Sequence, residues 1–267
     1  MTFWTSYRRQ GEPERSKNSK FSRLKNFGAF LFRKDVLRKR ILRWAAFLIA
    51  LGVLSTGGLV LMLRFINPPI WAWRVHRAIA PPVEARPEIR HEWVDLAAIS
   101  PEMRLAVIAA EDQLFPAHHG FDWEAIFAAI DYNQESDRTR GGSTITQQTA
   151  KNLFLYPARS YIRKGIEAYF TFLLELLWPK TRILEVYLNI VEFGPNLYGA
   201  EAAAHYYFGR SAADLSRTQA SRMAAALPNP YRYRVQPPSD YVARRSAWIR
   251  RQMRQIGPAT LKTMEAD

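Results

Sequence analysis

Residues 44–63, Trp44 through Leu63, form an unbroken run of 20 uncharged positions, polar only at Ser55 and Thr56. At about 1.5 Å per residue such a helix covers a hydrocarbon core of roughly 30 Å. A buried core helix would show a polar face, and a secretory signal has a shorter apolar stretch ending at small residues. Here Arg64-Phe65-Ile66-Asn67-Pro68-Pro69 follows, so the pattern predicts an uncleaved membrane anchor. Beyond it, apolar positions recur at helical spacing. Ser100-Pro101-Glu102 starts a helix that carries Met103, Val107 and Ala110 up to Glu111, with proline at the first helical position. Further helices are predicted from Thr146 to Leu155, Tyr161 to Trp178, Thr181 to Val191, Tyr198 to Phe208, Ser216 to Leu227 and Ser239 to Ile256. Ser143 or Thr144 would cap the first of these, Thr181 the third, and Ser216 with Gln219 forms a capping box. The run from Ala168 to Trp178 is apolar nearly all round and reads as a central core helix, with a lipid-facing helix as the alternative. Residues 132–143 read as a polar, mobile loop. No segment alternates convincingly as a strand, so the fold class is mainly α.

Charge settles orientation. Residues 1–43 hold 13 lysines and arginines against Glu12, Glu14 and Asp35, a surplus of ten of the chain's net +14. A basic flank before the span and few cations after it place the N-terminus in the cytoplasm and residues 64–267 outside. The remaining chain is near neutral, so nucleic acid is not the expected partner. With no cysteine in 267 residues, disulfide scaffolds, thiolate metal sites and cysteine nucleophiles are excluded. The arginine-rich face of the last helix suggests solvent or anionic head groups.

Four clusters carry candidate chemistry. Glu111-Asp112, followed by Phe115, His118, His119 and Gly120, places an acid pair at the end of an apolar helix, where a carboxyl pKa can rise. Gly141-Gly142-Ser143-Thr144 leads into Gln147, Gln148, Lys151 and Asn152, offering N–H groups and hydroxyls to an anion; without a G-K-[ST] ending it is no Walker A loop. Arg163, Lys164 and Glu167 share one helix face. Lys180 to Asn189, with Gly194 and Gly199, looks structural: a capped helix and then tight packing. Each cluster alone also reads blandly, as an acidic helix end or a surface ion pair.

Taken in order, EDQLFPAHHG (111–120), GGSTITQQTAKN (141–152), RKGIE (163–167), KTRILEVYLNIVEFGPNLYGAEAAAHYYFG (180–209) and LSRTQASRMAAALPNP (215–230) closely resemble the glycosyltransferase domain of peptidoglycan polymerases. The resemblance covers roughly residues 70–255. Ser22-x-x-Lys25 and Ser16-x-Asn18 imitate transpeptidase motifs, but in the wrong order, in the basic tail and without K-T-G, so the resemblance is to the monofunctional transglycosylases. It implies a lysozyme-like domain after one transmembrane helix, with boundaries at 1–43 (tail), 44–63 (anchor), 64–100 (connector), 101–257 (glycosyltransferase) and 258–267 (C-terminal tail).

The resemblance further implies polymerisation of lipid II into β-1,4-linked glycan at the outer face of a bacterial inner membrane, with inversion and release of undecaprenyl pyrophosphate. Glu111 is then the general base and Glu167 the second catalytic glutamate, holding a divalent cation (Mg or Mn) if one takes part; no organic cofactor is implied. Asp112, Phe115, His118, Ser143, Thr144, Gln147, Gln148, Lys151, Arg163 and Lys164 are the implied substrate-binding residues, Asp112 chiefly orienting the first cluster. Implied partners are lipid II, the growing strand, the membrane and other cell-wall synthesis or division proteins. Gln219 replaces the glutamate common in the fifth motif, and a capping box accepts either. A lytic enzyme would not need Lys151, Arg163 and Lys164 for a pyrophosphate, and a non-catalytic scaffold would not need Glu111 and Glu167.

Overall fold

The computed structural model describes residues 17–82, 88–135, 142–158 and 160–265. The basic residues before Lys17, and the loop positions 136–141 with Gly141, lie outside them. The chain divides into two compact units, Met1–Thr56 and Gly57–Asp267. Within the first, every described residue belongs to helix α1 (Lys17–Phe65). Its stretch Leu37–Phe65 has mean hydropathy 2.3 and is long and apolar enough to cross a membrane. Leu48, Ile49 and Leu54 stand exposed on it, which separates it from the core helix of a water-soluble body.

The second unit begins with the last turns of α1, where Val60 and Leu63 are buried. Side chains from later in the chain hold this end of α1, and at Leu63 one supplies a donor that the last helical turn lacks. Trp178 Nε1 donates to Val60 O (2.7 Å) and Arg182 Nη2 to Leu63 O (2.9 Å) and Ile66 O (3.1 Å). The segment expected as a connector holds α2 (Ala72–Ile79), β1 (Arg90–His91) and a 3-10 turn at Leu96–Ala98. There follow α3 (Pro101–Glu111), α4 (Trp123–Glu135), α5 (Ile145–Phe154), α6 (Tyr161–Leu177), α7 (Lys180–Ile190), β2 (Glu192–Gly194), β3 (Leu197–Tyr198), α8 (Ala200–Phe208), α9 (Arg217–Ala226), α10 (Asp240–Ile256) and α11 (Ala259–Glu265). Helices α3, α9 and α10 pack together, α5 packs on α6 and α7, and α2 lies against α5.

The mainly helical class holds, with local differences. Helix α4 runs through Glu135, into the stretch read as loop. A small sheet of order β1-β3-β2 was not expected; strands of two or three residues are too short to show alternation. Tyr198, read as the start of the next helix, belongs to it with Leu197. Pro179, not Thr181, precedes α7, and no side chain caps that helix. The predicted caps Ser100 and Ser216 are present, and Ser239, read as the first residue of the last helix, caps it. Helix α6 is not a central core helix: Glu167, Thr171, Leu173 and Leu174 are buried while Ile162, Phe172 and Leu176 are exposed. In the C-terminal segment read as a tail, Leu261 and Met264 of α11 join the core.

Candidate active site

Glu111 is the last residue of α3, whose buried face from Met103 to Ala109 holds that end against the core. The chain leaves the helix at Asp112, and the Asp112 carboxylate accepts from the Ile145 N–H at the start of α5 (2.9 Å) and from His118 Nε2 (2.9 Å). His118 Nδ1 accepts from the Gly120 N–H (3.1 Å); that nitrogen therefore carries no proton, and Nε2 is the donor. Gly120 sits at φ +85, and a Cβ there would come within 2.9 Å of Glu175 and Thr171.

Thr144 caps α5 in a capping box with Gln147 and donates its hydroxyl to Gly120 O (2.7 Å). One turn on, Gln148 Nε2 donates to Glu111 Oε2 (2.8 Å) while its Oε1 accepts from the buried Tyr187 hydroxyl (3.2 Å). The tyrosine proton thus aims the amide N–H₂ at the glutamate. Burial pushes the Glu111 carboxyl above the ordinary carboxylate range, and the negative Asp112 adds to this; the Gln148 hydrogen bond and the charges of Arg245 and Lys151 oppose it. A half-buried carboxyl group with placed donors is a competent proton acceptor once ionised.

On α6, opened by Ser160, Arg163 Nη1 pairs with Glu167 Oε2 (2.8 Å) and Lys164 with Glu167 Oε1. Lys151 makes no ion pair among the described residues. Burial lowers its pKa, and Glu167, Arg163, Glu111 and Lys164 all act on it through space. The sequence clusters therefore converge on one site. Both Glu167 oxygens are engaged by cations, an arrangement that suits an anion rather than a divalent metal.

The implied binding residues separate into two groups. Glu111, Gln148, Lys151, Arg163 and Lys164 offer functional atoms to the site, and Ser143 is exposed beside it. Phe115, expected to touch substrate, is instead fully buried, with Lys180 Nζ 4.7 Å from its ring centroid. Asp112, His118, Thr144 and Gln147 spend their polar atoms on one another and on backbone, so they hold the site in shape. Tyr187, Lys180 (to His118 O, 2.6 Å) and Arg245 (to Ala110 O, 3.2 Å) were missed as site residues. The first two lie in the segment read as structural, and nothing in the sequence places Arg245 of α10 beside α3.

Residues 81–254 match the transglycosylase family. The chain belongs to that family. Among its relatives, the "Biosynthetic peptidoglycan transglycosylase" of Shewanella oneidensis is 61% identical over 225 residues, spanning 84% of this chain and 96% of the relative. Proteins of the same name from Aeromonas hydrophila (59% identical; 88% and 100% covered) and Xanthomonas campestris (49%; 82% and 90%) are also similar to it.

Proposed function

We propose that this transglycosylase builds peptidoglycan by polymerising lipid II into β-1,4-linked glycan, inverting the donor's anomeric carbon and releasing undecaprenyl pyrophosphate. The observation that carries the reading is Glu111, desolvated and hydrogen-bonded to Gln148, in the same site as the cations Lys151, Arg163 and Lys164. Glu111 takes the proton of the acceptor's 4-hydroxyl as that oxygen attacks. The cations meet the negative charge growing on the departing pyrophosphate, Arg163 through the Nη2 that Glu167 and the Ala158 carbonyl leave over and the lysines as point charges. Glu167, buried between Arg163 and Lys164, holds both in place.

The surface fits a lipid-linked substrate. Ile162, Ile166, Phe172 and Leu176 lie exposed along one side of α6, and Trp123 and Phe127 are exposed on α4; apolar surface of this extent suits a membrane interface. The apolar helix and its basic N-terminal flank favour a single-pass inner-membrane protein with its catalytic domain in the periplasm, where cell-wall synthesis and division proteins are accessible partners. The test is polymerisation of labelled lipid II by detergent-purified protein beside Glu111→Gln. The wild type is expected to make lysozyme-digestible polymer and the variant to lose about 10²–10⁴-fold in rate, the range of a general base. A loss under tenfold would remove Glu111 from that role.

A further inference from the structure

Helix α7 carries Tyr187, whose proton orients Gln148 toward Glu111. Near its start the same helix carries Arg182, which the chemistry above does not use. All five N–H groups of its guanidinium have an acceptor. Nε (3.3 Å) and Nη2 (2.9 Å) donate to Leu63 O, Nη2 also to Ile66 O (3.1 Å), and Nη1 to Asn67 Oδ1 (2.8 Å) and to Glu185 Oε1. Four of these five contacts fall on residues 63–67, where α1 ends, and the fifth on α7 itself.

The surroundings hold the guanidinium in this pose. It lies over the Trp93 and Trp178 rings, 5.6 and 5.7 Å from their centroids, and its side chain is only 11% exposed. Glu185 Oε2 accepts from the Leu96 N–H (3.1 Å), so the carboxylate that neutralises Arg182 is itself anchored. Arg64 Nη1, donating to Leu177 O (2.8 Å), and Trp178 Nε1, donating to Val60 O, brace the same helix end against α6. Pro68 and Pro69 follow, and proline cannot continue a helix, so the grip falls where α1 stops. Apolar contact would be enough to hold two helices together, and burying a cation costs desolvation. A planar fork meets all its acceptors in one orientation only, so it fixes direction as well as distance.

We propose that Arg182 is a positioning residue for the reaction. It joins the end of the apolar helix to α7 as one rigid piece. Tyr187, Gln148 and Glu111 are thereby held at one height and tilt relative to the point where the apolar stretch ends. A lipid-linked substrate presents its reacting atoms at a set height above the bilayer, and a loose connection would dilute the site over many heights. The proposal rests on the reading of α1 as a membrane anchor and of the substrate as lipid-linked, and adds to it the joint between them.

The test uses the full chain, whose lack of cysteine allows labelling at introduced ones. Spin labels at Leu59→Cys on α1 and Thr218→Cys on α9, both exposed positions, report the distance from the helix end to the domain by electron–electron resonance. Arg182→Gln is expected to broaden that distance distribution. In the unlabelled chain it should lower kcat/KM on lipid II about tenfold in vesicles, the scale of a small misplacement of reacting groups, and change it far less in detergent micelles. Arg182→Lys keeps the charge but cannot span the same acceptors, and should fall between. Melting curves report folding; if Arg182→Gln does not fold, Asn67→Ala, which removes one bond from the other side of the joint, takes its place with a smaller effect of the same kind. An unchanged distance distribution, or equal losses of activity in vesicles and micelles, would overturn the proposal. If the wild type polymerises lipid II in neither medium, the catalytic reading falls and the positioning role falls with it.

Discussion

Glu111 works because two opposing influences meet on one carboxyl group. Burial and Asp112 favour the protonated form, whereas Gln148, Arg245 and Lys151 favour the ionised one. A general base must be ionised to act, so activity falls as pH drops through the raised pKa. Removing the Gln148 donor destabilises the carboxylate and raises that pKa further. Gln148→Leu is therefore expected to move the acidic limb of the kcat/KM profile to higher pH by about one pH unit, the worth of a hydrogen bond to a charged group. An unmoved limb, measured across pH 4–9 on lipid II, would mean that another group titrates there. Tyr187 is the other half of this device: its proton on Oε1 adds to the carboxylate's own preference for the N–H₂ end of the Gln148 amide.

Elements are joined by a few close approaches that only particular residues permit. Gly199, between β3 and α8, has φ +83, and a Cβ there would sit 2.9 Å from the Asn189 carbonyl oxygen of α7. Backbone cannot retreat as a flexible side chain can, and a non-glycine residue is strained at this φ. Gly199→Ala is expected to cost about 1–3 kcal/mol, read as a lower denaturant midpoint at unchanged m-value; a midpoint equal to wild type would show that α7 and β3 can shift apart. Asp112 is a second joint, since one carboxylate links the end of α3, the start of α5 and His118. Through it the catalytic glutamate and its hydrogen-bond donor are set on two helices whose relative position is determined within one residue of each.

For the whole second unit, the feature that matters is where apolar surface remains uncovered. Ile162, Phe172 and Leu176 cost free energy in water at about 25 cal/mol per Å², and that cost disappears if the face lies in the head-group region. Ile162→Ser with Phe172→Ser is expected to lower polymerisation in lipid vesicles several-fold while activity in detergent micelles changes less, because micelles reach the site from any direction. Equal losses in both media would assign these residues to folding or catalysis.

Much of this was legible in the amino-acid order. Continuous hydrophobicity from Trp44 to Leu63 dictates a helix that water cannot solvate well, and the charge before it biases orientation. The caps at Ser100, Thr144 and Ser216 were readable because capping is a contact between residues two or three apart. The clusters at 111–120, 141–152 and 163–167 were readable as motifs, since the residue types and their order survive without coordinates. What tertiary structure alone decided is which atoms face one another. Phe115 went into the core, and His118 and Gln147 turned to backbone and neighbours. Glu167 was surrounded by cations, Arg245 arrived from more than a hundred residues away, and Arg182 reached the end of α1. Local sequence governs torsions and capping, whose partners lie within a turn or two; the orientation of a side chain in a packed interior depends on volumes and donors contributed by distant segments, and no local pattern contains them.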